Sequence, residues 1–191
     1  MKINIVTPCS RPENLRTLFY SLNFSYHAWY IIFDADEIPQ KERNWLEKIP
    51  RVFLSNIREG RRGGYLQRNS ILPFINEGFC YFLDDDTILH PKFYERINEE
   101  YKKNKKRIYI FGQEVAKKRK RKTVIKHGYI DIGQYLVHYS FFKKLQFLKV
   151  HNSDGVLIEH LNNSYPDDVV YIDEVLSYYN KLRNGWKEEK K

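Results

Sequence analysis

The sequence is poor in cysteine and has no long apolar run. The first argues against a disulfide-bonded scaffold, and the second argues against a membrane-spanning helix. Its two cysteines, Cys9 and Cys80, are too few for a disulfide framework and fit a reducing, cytosolic setting. No stretch is apolar for long enough to span a bilayer. Residues 2–6 read directly as a strand, so we expect no signal peptide. We predict a cytoplasmic protein, with peripheral contact to the inner membrane face as a further expectation.

Motifs that depend on glycine or on histidine spacing are also missing. There is no Gly-x-x-x-x-Gly-Lys-Ser/Thr loop, and no Gly-x-Gly-x-x-Gly follows the first predicted strand, which argues against kinases, ATPases and dinucleotide-binding enzymes. The Gly-x-Ser-x-Gly elbow of α/β-hydrolases is absent. The six histidines do not have zinc-ligand spacing to cysteine.

What the chain does have is apolar residues for a core and an excess of positive charge. Its 191 residues are 42% hydrophobic and 16% aromatic, enough for one domain. The net charge of +9 is concentrated in two basic runs, 102–107 and 117–122. Such runs bind nucleic acid or anionic lipid, or they form a solvated helix end and hairpin tip. No base-reading pattern accompanies them, so we expect no nucleic-acid partner.

The first half of the sequence alternates strand patterns with helix patterns. We predict strands over 3–7, 29–33, 51–54 and 78–83. We predict helices over 12–23, around Trp45, over 63–76 and over 91–101. Strands that alternate with helices indicate βαβ units and a mainly parallel sheet.

The second half has a mixed pattern. We predict a strand over 108–112, a basic hairpin whose other arm is 123–125, a strand or loop over 129–138, short helices over 141–145 and 155–161, and strands over 169–172 and 175–179. The predicted fold class is α/β, with one domain over 1–191. Residues 1–102 form its nucleotide-binding half and 103–191 its mixed, acceptor-side half.

Three consecutive carboxylates, Asp84, Asp85 and Asp86, follow the apolar strand over 78–83. That position places them at the carboxyl edge of the sheet, where open α/β folds bind ligands. Clustered negative charge there favours a divalent cation, and Mg²⁺ or Mn²⁺ prefers carboxylate oxygens combined with substrate phosphates. The alternative is a solvated acidic turn before the next helix.

Other polar groups follow the neighbouring predicted strands. Residues 7–11 come after the first strand, Asp34 follows the second, and Arg68 lies in the helix before the acidic strand. Because parallel strands end at the same edge, these groups converge in the way a nucleotide requires. Taken singly, each has a plainer interpretation as a capping turn, a loop residue or a solvent-facing cation.

Residues 5–8, 31–35, 67–69 and 81–86 together resemble the GT-A glycosyltransferases. Their order and spacing are similar to those of the inverting β-1,3-glucuronosyltransferases and of small bacterial and viral GT-A enzymes. The resemblance covers about 2–180 and is dense in the first half. It implies a Rossmann-like GT-A fold and metal-dependent, inverting transfer of a sugar from a nucleotide-sugar donor, UDP-linked, to a glycan or lipid-linked acceptor.

The resemblance also implies roles for individual residues. It assigns nucleotide binding to Thr7, Pro8, Arg11, Asp34, Arg68, Asp84 and Asp85, with Asp34 near the base, Arg68 facing the diphosphate and Asp85 contacting ribose. Asp86 would bind Mn²⁺ or Mg²⁺. GT-A enzymes commonly use a C-terminal histidine as a further ligand, and Asn180 stands in that region here. Asp131 matches a segment that holds donor or acceptor sugar, although a turn residue explains it equally well.

Inverting transfer also needs a carboxylate that takes the acceptor proton. The resemblance points to residues 153–159, with Asp154 preferred and Glu159 second. A helix N-cap is the structural alternative for Asp154, and an exposed helix position is the alternative for Glu159.

Two other functions stay open from the sequence. A sugar-nucleotide nucleotidyltransferase has a related sheet but usually a glycine-rich basic loop after the first strand, where this chain has Pro8 and Pro12. A nucleic-acid-binding protein would use the basic runs and leave the acidic triplet unexplained. For a glycosyltransferase, the predicted hairpin at 117–122 would contact an anionic membrane near the acceptor.

Overall fold

The computed structural model describes residues 1–58, 64–115, 119–121 and 123–183, with backbone alone for 119–121. Within those residues nine strands form one sheet. They are β1 (Ile3–Cys9), β2 (Ala28–Phe33), β3 (Val52–Asn56), β4 (Phe79–Phe82), β5 (Ile88–Leu89), β6 (Ile108–Val115), β7 (Arg119–Arg121), β8 (Tyr135–His138) and β9 (Val169–Tyr178).

The sheet runs in the order β3-β2-β1-β4-β8-β6-β9-β5, and β7 pairs with β6. Neighbours among β3, β2, β1 and β4 are parallel. Strand β8 is antiparallel to both β4 and β6, and β9 is parallel to β6. Strands β6 and β9 therefore point the same way as β1 and β4, so all four carboxyl ends reach one edge of the sheet.

Helices cover both faces of the sheet. They are α1 (Leu15–Ser21), α2 (Gln40–Leu46), α3 (Tyr65–Ile71), α4 (Phe93–Asn104) and α5 (Ser153–Ser164). Short 3₁₀ turns lie at Pro12–Asn14, Leu72–Phe74, Ile132–Gln134, Tyr139–Lys143 and Pro166–Asp168. In the described part of the chain, no helix is both long enough and apolar enough to cross a membrane.

Alternating side chains of β1 divide the core into two layers. Ile3 and Ile5 pack with Leu18 of α1 and Phe93 of α4 on one face. Val6 packs on the other face with side chains of α3 and α5. Successive side chains of a strand point to opposite faces, so a single strand supplies both layers.

The predicted elements of the first half are all present, with shifted ends. The helix predicted over 63–76 ends at Ile71 and continues as a 3₁₀ turn that contains Pro73, because proline lacks the amide that the α-helical bond needs. Strand β5, only two residues long, had no prediction. The predicted boundary between residues 102 and 103 falls inside α4.

Three predictions for the second half are wrong in detail. The second arm of the hairpin is β7, at 119–121, rather than 123–125. The two strands predicted over 169–179 are one strand, β9, with register irregularities around Gly112 of its partner β6. Only residues 135–138 of the segment 129–138 form a strand. Residues 117, 118 and 122 of the basic run lie outside the described residues.

Candidate active site

A cleft of about 970 Å³ opens at the carboxyl edge of the sheet. One wall comes from the segments that follow β1, β2 and β4 and from the start of α3. The opposite wall comes from the segment before β8, from residues 149–154 and from the turn after β9. Of the predicted site residues, the cleft is lined by Pro8, Arg11, Asp34, Arg68, Asp84, Asp85, Asp86, Asp131, Asp154 and Asn180.

Asp85 anchors the loop that follows β1. Its Oδ2 accepts hydrogen bonds from the backbone N–H groups of Ser10 at 2.6 Å and Arg11 at 2.7 Å. The Arg11 guanidinium pairs with the same carboxylate, and the Asn14 amide donates to the Asp85 carbonyl at 3.0 Å. Burial raises the pKa of Asp85, and these donors oppose that rise. Both carboxylate oxygens bind the β1 loop, and Asp85 also lines the cleft, so its ribose contact stays a prediction.

Asp84 is paired with the cation of the predicted diphosphate site. Arg68 Nη2 donates to Asp84 Oδ1 at 2.6 Å. The Arg68 side chain is buried, and its guanidinium carbon lies 5.6 Å from the centre of the Phe147 ring. Arg68 is thus held in one orientation at the base of the cleft, rather than facing solvent.

Asp86 is buried in the cleft and contacts cations and an amide. Arg11 Nη1 lies 3.1 Å from its Oδ2, and Arg183 Nε lies 3.9 Å from the same atom. Burial, followed by the negative charge of Asp84, raises the pKa of Asp86 to about 6. Arg11 and Arg183 oppose that rise in pKa without cancelling it.

Asn180 lies beside Asp86, and its role as a metal ligand stays a prediction. With its amide turned to satisfy its hydrogen bonds, the nitrogen donates to both Asp86 carboxylate oxygens, at 3.2 and 3.1 Å. Its oxygen then accepts from Arg183 Nη1 at 3.2 Å. Asn180 thus offers Asp86 a hydrogen-bond donor, which explains how a chain without a histidine at this position satisfies that carboxylate.

The carboxylates fit a divalent cation only if the substrate completes its coordination. Across 1–58, 64–115 and 123–183, no group of three or more His, Cys, Asp or Glu side chains is arranged to hold a metal ion. Mg²⁺ commonly uses one or two protein carboxylates together with substrate phosphates. Asp86 has the hard oxygen donors and the position in the cleft for that kind of site.

Asp131 stands on the opposite wall. Its Oδ1 accepts from Gln113 Nε2 and from the backbone N–H of Gly133, both at 2.9 Å, and Gln134 closes a capping box with it. Burial, then the charge of Asp84, raises the pKa of Asp131 to about 6. These bonds confirm that Asp131 caps the turn at Ile132–Gln134, and Asp131 also lines the cleft.

Asp154 lies in the first turn of α5, whose N-cap is Asn152. Its Oδ2 accepts from the backbone N–H of Ile132 at 3.0 Å, which ties the helix to the segment before β8. Burial raises the pKa of Asp154. The carboxylate faces the cleft with a neutral amide donor, so it keeps the proton affinity that a general base needs.

Glu159 is not in the cleft. Its Oε2 accepts from the backbone N–H of His127 at 2.9 Å. Five helical residues turn the chain through about 500°, so Asp154 and Glu159 lie roughly 140° apart around α5. The helical period therefore separates the two candidates, and of the two only Asp154 lines the cleft.

Thr7 also lies outside the cleft. Its side chain is fully buried, and its hydroxyl accepts from the Trp29 indole at 2.9 Å. Thr7 shares the β1 face of Ile5, whereas Pro8 points to the opposite face and lines the cleft. The structure therefore places the Thr7 side chain away from the other predicted nucleotide-binding residues, as the alternation of the strand requires.

Several cleft residues had no prediction, among them Tyr65, Lys149, Asn152, Tyr179 and Arg183. Gly64 also lines the cleft, and the sequence could have indicated its importance, because it belongs to a glycine pair before α3. It has φ of +72°, and a Cβ there would lie 2.9 Å from Pro8 Cβ. The glycine thus allows α3 to approach the β1 loop closely. Tyr65 begins α3, and the other four lie in loops whose course no local pattern specifies.

No protein-family model and no curated protein matches the sequence. Among solved structures, S. aureus TarS 1–349 is similar with a TM-score of 0.73 and 13% identity over 93% of this chain. TarS 1–349 in complex with UDP and with UDP-GlcNAc gives TM-scores of 0.72 and 0.71, both at 13% identity over 93% of this chain. The chain spans 60% of TarS 1–349, or 58% in the UDP-GlcNAc complex. Its fold is the GT-A, Rossmann-like α/β fold predicted from the sequence.

Proposed function

We propose that this protein is a glycosyltransferase that moves a sugar from a UDP-sugar to a hydroxyl group of an acceptor, with inversion at the anomeric carbon. The observation that carries the proposal is the cleft itself. Arginine-paired carboxylates on one wall face buried carboxylates on the other, at the carboxyl edge of a GT-A sheet. Ligands of open α/β folds bind at that edge.

The donor assignment rests on fold and charge. TarS, which has the same fold, has been solved with UDP and with UDP-GlcNAc. In this chain Pro8 and Asp34 would border the base, and Arg11, Arg68 and Arg183 would face the diphosphate. Guanidinium groups suit phosphate oxygens because they donate two parallel hydrogen bonds. The cleft volume also lies within the usual range for small-molecule sites.

We propose that Mn²⁺ or Mg²⁺ assists, with Asp86 as its protein ligand and the diphosphate completing the coordination. The bound cation would supply charge stabilisation for the departing nucleoside diphosphate. Arg11 and Arg183, which lie beside Asp86, would supply positive charge to the phosphates there. Asp84 would keep Arg68 oriented toward them.

Asp154 is the proposed general base. The acceptor oxygen forms the new bond to the anomeric carbon while its proton passes to the Asp154 carboxylate. The bond from the anomeric carbon to the phosphate oxygen breaks, and its electron pair leaves with UDP. The hydrogen bond from the Ile132 amide holds the base in place, and its burial favours the protonated product form. Asp131 on the same wall would bind hydroxyl groups of the donor or acceptor sugar.

The test is a donor assay that identifies products. Wild-type protein with a panel of UDP-sugars, manganese and candidate glycan or lipid-linked acceptors should release UDP and give a glycosylated acceptor by mass spectrometry. Formation of UDP-sugar from UTP and sugar 1-phosphate would instead identify a nucleotidyltransferase. Binding of DNA or RNA with steep salt dependence, and no binding of UDP, would favour a nucleic-acid-binding protein.

A further inference from the structure

Two stretches of the sequence beside the cleft carry positive charge and no negative charge. Residues 116–130 and 139–153 contain ten lysines and arginines and no aspartate or glutamate. Of the ten, the structure describes the side chains of Lys126, Lys143, Lys144 and Lys149. A surface whose charges are all positive suits an anionic partner.

The described parts of the two stretches meet beside the cleft. A ring nitrogen of His127 lies 3.1 Å from the carbonyl oxygen of His151. Gly128 packs so closely on α5 that a Cβ at Gly155 would lie 3.1 Å from its nitrogen. Residues 149–153 of the second stretch, followed by Asp154 of α5, form one wall of the cleft. The basic surface is therefore continuous with the mouth of the site.

Apolar side chains are exposed among these cations. Leu148 is 54% exposed, Val150 is 52% exposed and Tyr129 is 60% exposed. Lys149, between Leu148 and Val150, is exposed as well. Large apolar side chains gathered at one surface usually mark a binding site.

The loop that presents these side chains is held firmly. Phe147 is buried, and the Asn69 amide bonds both its backbone groups, donating to the carbonyl at 2.8 Å and accepting from the N–H at 2.9 Å. This anchor sets the direction of the residues that follow. Leu148 and Val150 are thus presented outward by a fixed loop.

We infer that this rim docks on an anionic lipid bilayer, with Leu148 and Val150 inserted and the lysines on the headgroups. The rim consists of Lys126, Tyr129, Lys143, Lys144, Leu148, Lys149 and Val150. A soluble anionic polymer would satisfy the lysines but leave the apolar side chains in water. Peripheral anchoring generally combines apolar insertion with basic charge, and the rim has both. The inference rests on the proposed glycosyltransferase function when it adds that the acceptor is lipid-linked.

Vesicle co-sedimentation tests the rim. Wild-type protein should bind vesicles of equimolar phosphatidylcholine and phosphatidylglycerol, and not vesicles of phosphatidylcholine alone. Leu148→Ser should weaken partitioning about fivefold or more, because one buried apolar side chain is lost. The double variant Lys143→Gln with Lys144→Gln should weaken it about 20-fold, at about fivefold per charge. Tyr20→Ser is the matched control, since Tyr20 is 77% exposed on α1, and it should bind like wild type.

Two results would overturn the inference: no binding of wild type to anionic vesicles, or equal binding of Leu148→Ser and wild type. Displacement from vesicles by polyphosphate with no dependence on Leu148 would point to a soluble anionic polymer instead and would also overturn it. UDP calorimetry on the same samples separates the two proposals. Vesicle binding without UDP binding would retain the rim and contradict the donor assignment.

Discussion

The two walls of the cleft hold their carboxylates in different ways. On the wall built from β1 and β4, Asp84, Asp85 and Asp86 each contact an arginine. On the opposite wall, Asp131 and Asp154 accept hydrogen bonds from amides, and among the described residues neither forms a salt bridge. The first wall balances its carboxylates with arginines, the arrangement expected for the proposed diphosphate site. The second keeps buried carboxylates that can take a proton.

The largest effect should come from the base on the second wall. Asp154→Asn should lower the transfer rate by about 100- to 10,000-fold, the usual contribution of a general base, because the amide cannot accept the acceptor proton. UDP affinity should not change. Steady-state kinetics and calorimetry measure the two quantities.

Glu159→Gln is the matched control for that variant, since Glu159 lies on the same helix but contacts the His127 backbone outside the cleft. It should transfer sugar at the wild-type rate. Wild-type transfer by Asp154→Asn would show that the second wall does not supply the base.

The second-largest expected effect is a loss in the free energy of unfolding when a carboxylate of the first wall is removed. Asp85→Ala removes the acceptor for the amides of Ser10 and Arg11, and each part-buried donor left unsatisfied costs about 1–2 kcal/mol, the lower part of the range for buried donors. We expect a loss of about 2–4 kcal/mol in the free energy of unfolding, measured by urea denaturation. Asp36→Ala removes an exposed pair with Arg58 and should change it by less than about 1 kcal/mol. Equal small losses would mean that Asp85 does not anchor the β1 loop.

Asp86→Ala should weaken manganese-dependent UDP binding by about 10- to 100-fold, the value of one charge-assisted contact. UDP binding measured without metal should change little. Asn180→Ala should weaken manganese-dependent UDP binding less than Asp86→Ala does, because the Asn180 amide nitrogen donates to Asp86. A loss with Asn180→Ala as large as with Asp86→Ala would make Asn180 a metal ligand.

The smallest effect is a pH dependence on the second wall. The pKa of Asp131 rises from an ordinary 3.8 to about 6 in the folded protein, so folding favours its neutral form. Its contribution to stability is fully present below about pH 4 and is lost as the pH rises through about 6.

Urea unfolding at pH 5 and pH 7.5 tests that dependence. The stability of wild type relative to Asp131→Asn should fall by on the order of 1–2 kcal/mol between the two values. Asp86 titrates in both proteins, so its contribution cancels. A difference that is the same at both pH values would mean that Asp131 titrates normally.

The sequence predicted the first wall better than the second. The strands before Pro8, Asp34 and Asp84 are short apolar runs with polar ends, so both their existence and the convergence of their ends follow from local pattern and parallel topology. Thr7 lies on the β1 face that points away from the cleft, which strand alternation predicts. Glu159 lies on a different side of α5 from Asp154, which the helical period predicts.

The second wall depends on contacts between distant segments. Asp131 meets Gln113 of β6, and Asp154 meets Ile132, through loops whose course no short pattern specifies. Strand β9 pairs with β6 along one irregular register and includes both segments that the sequence predicted as separate strands. The exposure of Leu148 follows from the Asn69 anchor, which lies 78 residues from Phe147 in sequence. Such long-range contacts require the tertiary structure.

The most direct test is a calorimetric titration of UDP into wild-type protein at pH 7.5, with and without manganese. Saturable binding that manganese strengthens, and that Asp86→Ala reduces to the metal-free level, is the predicted result. No heat with UDP, whatever cation is added, would contradict the assignment of this cleft to a nucleoside diphosphate.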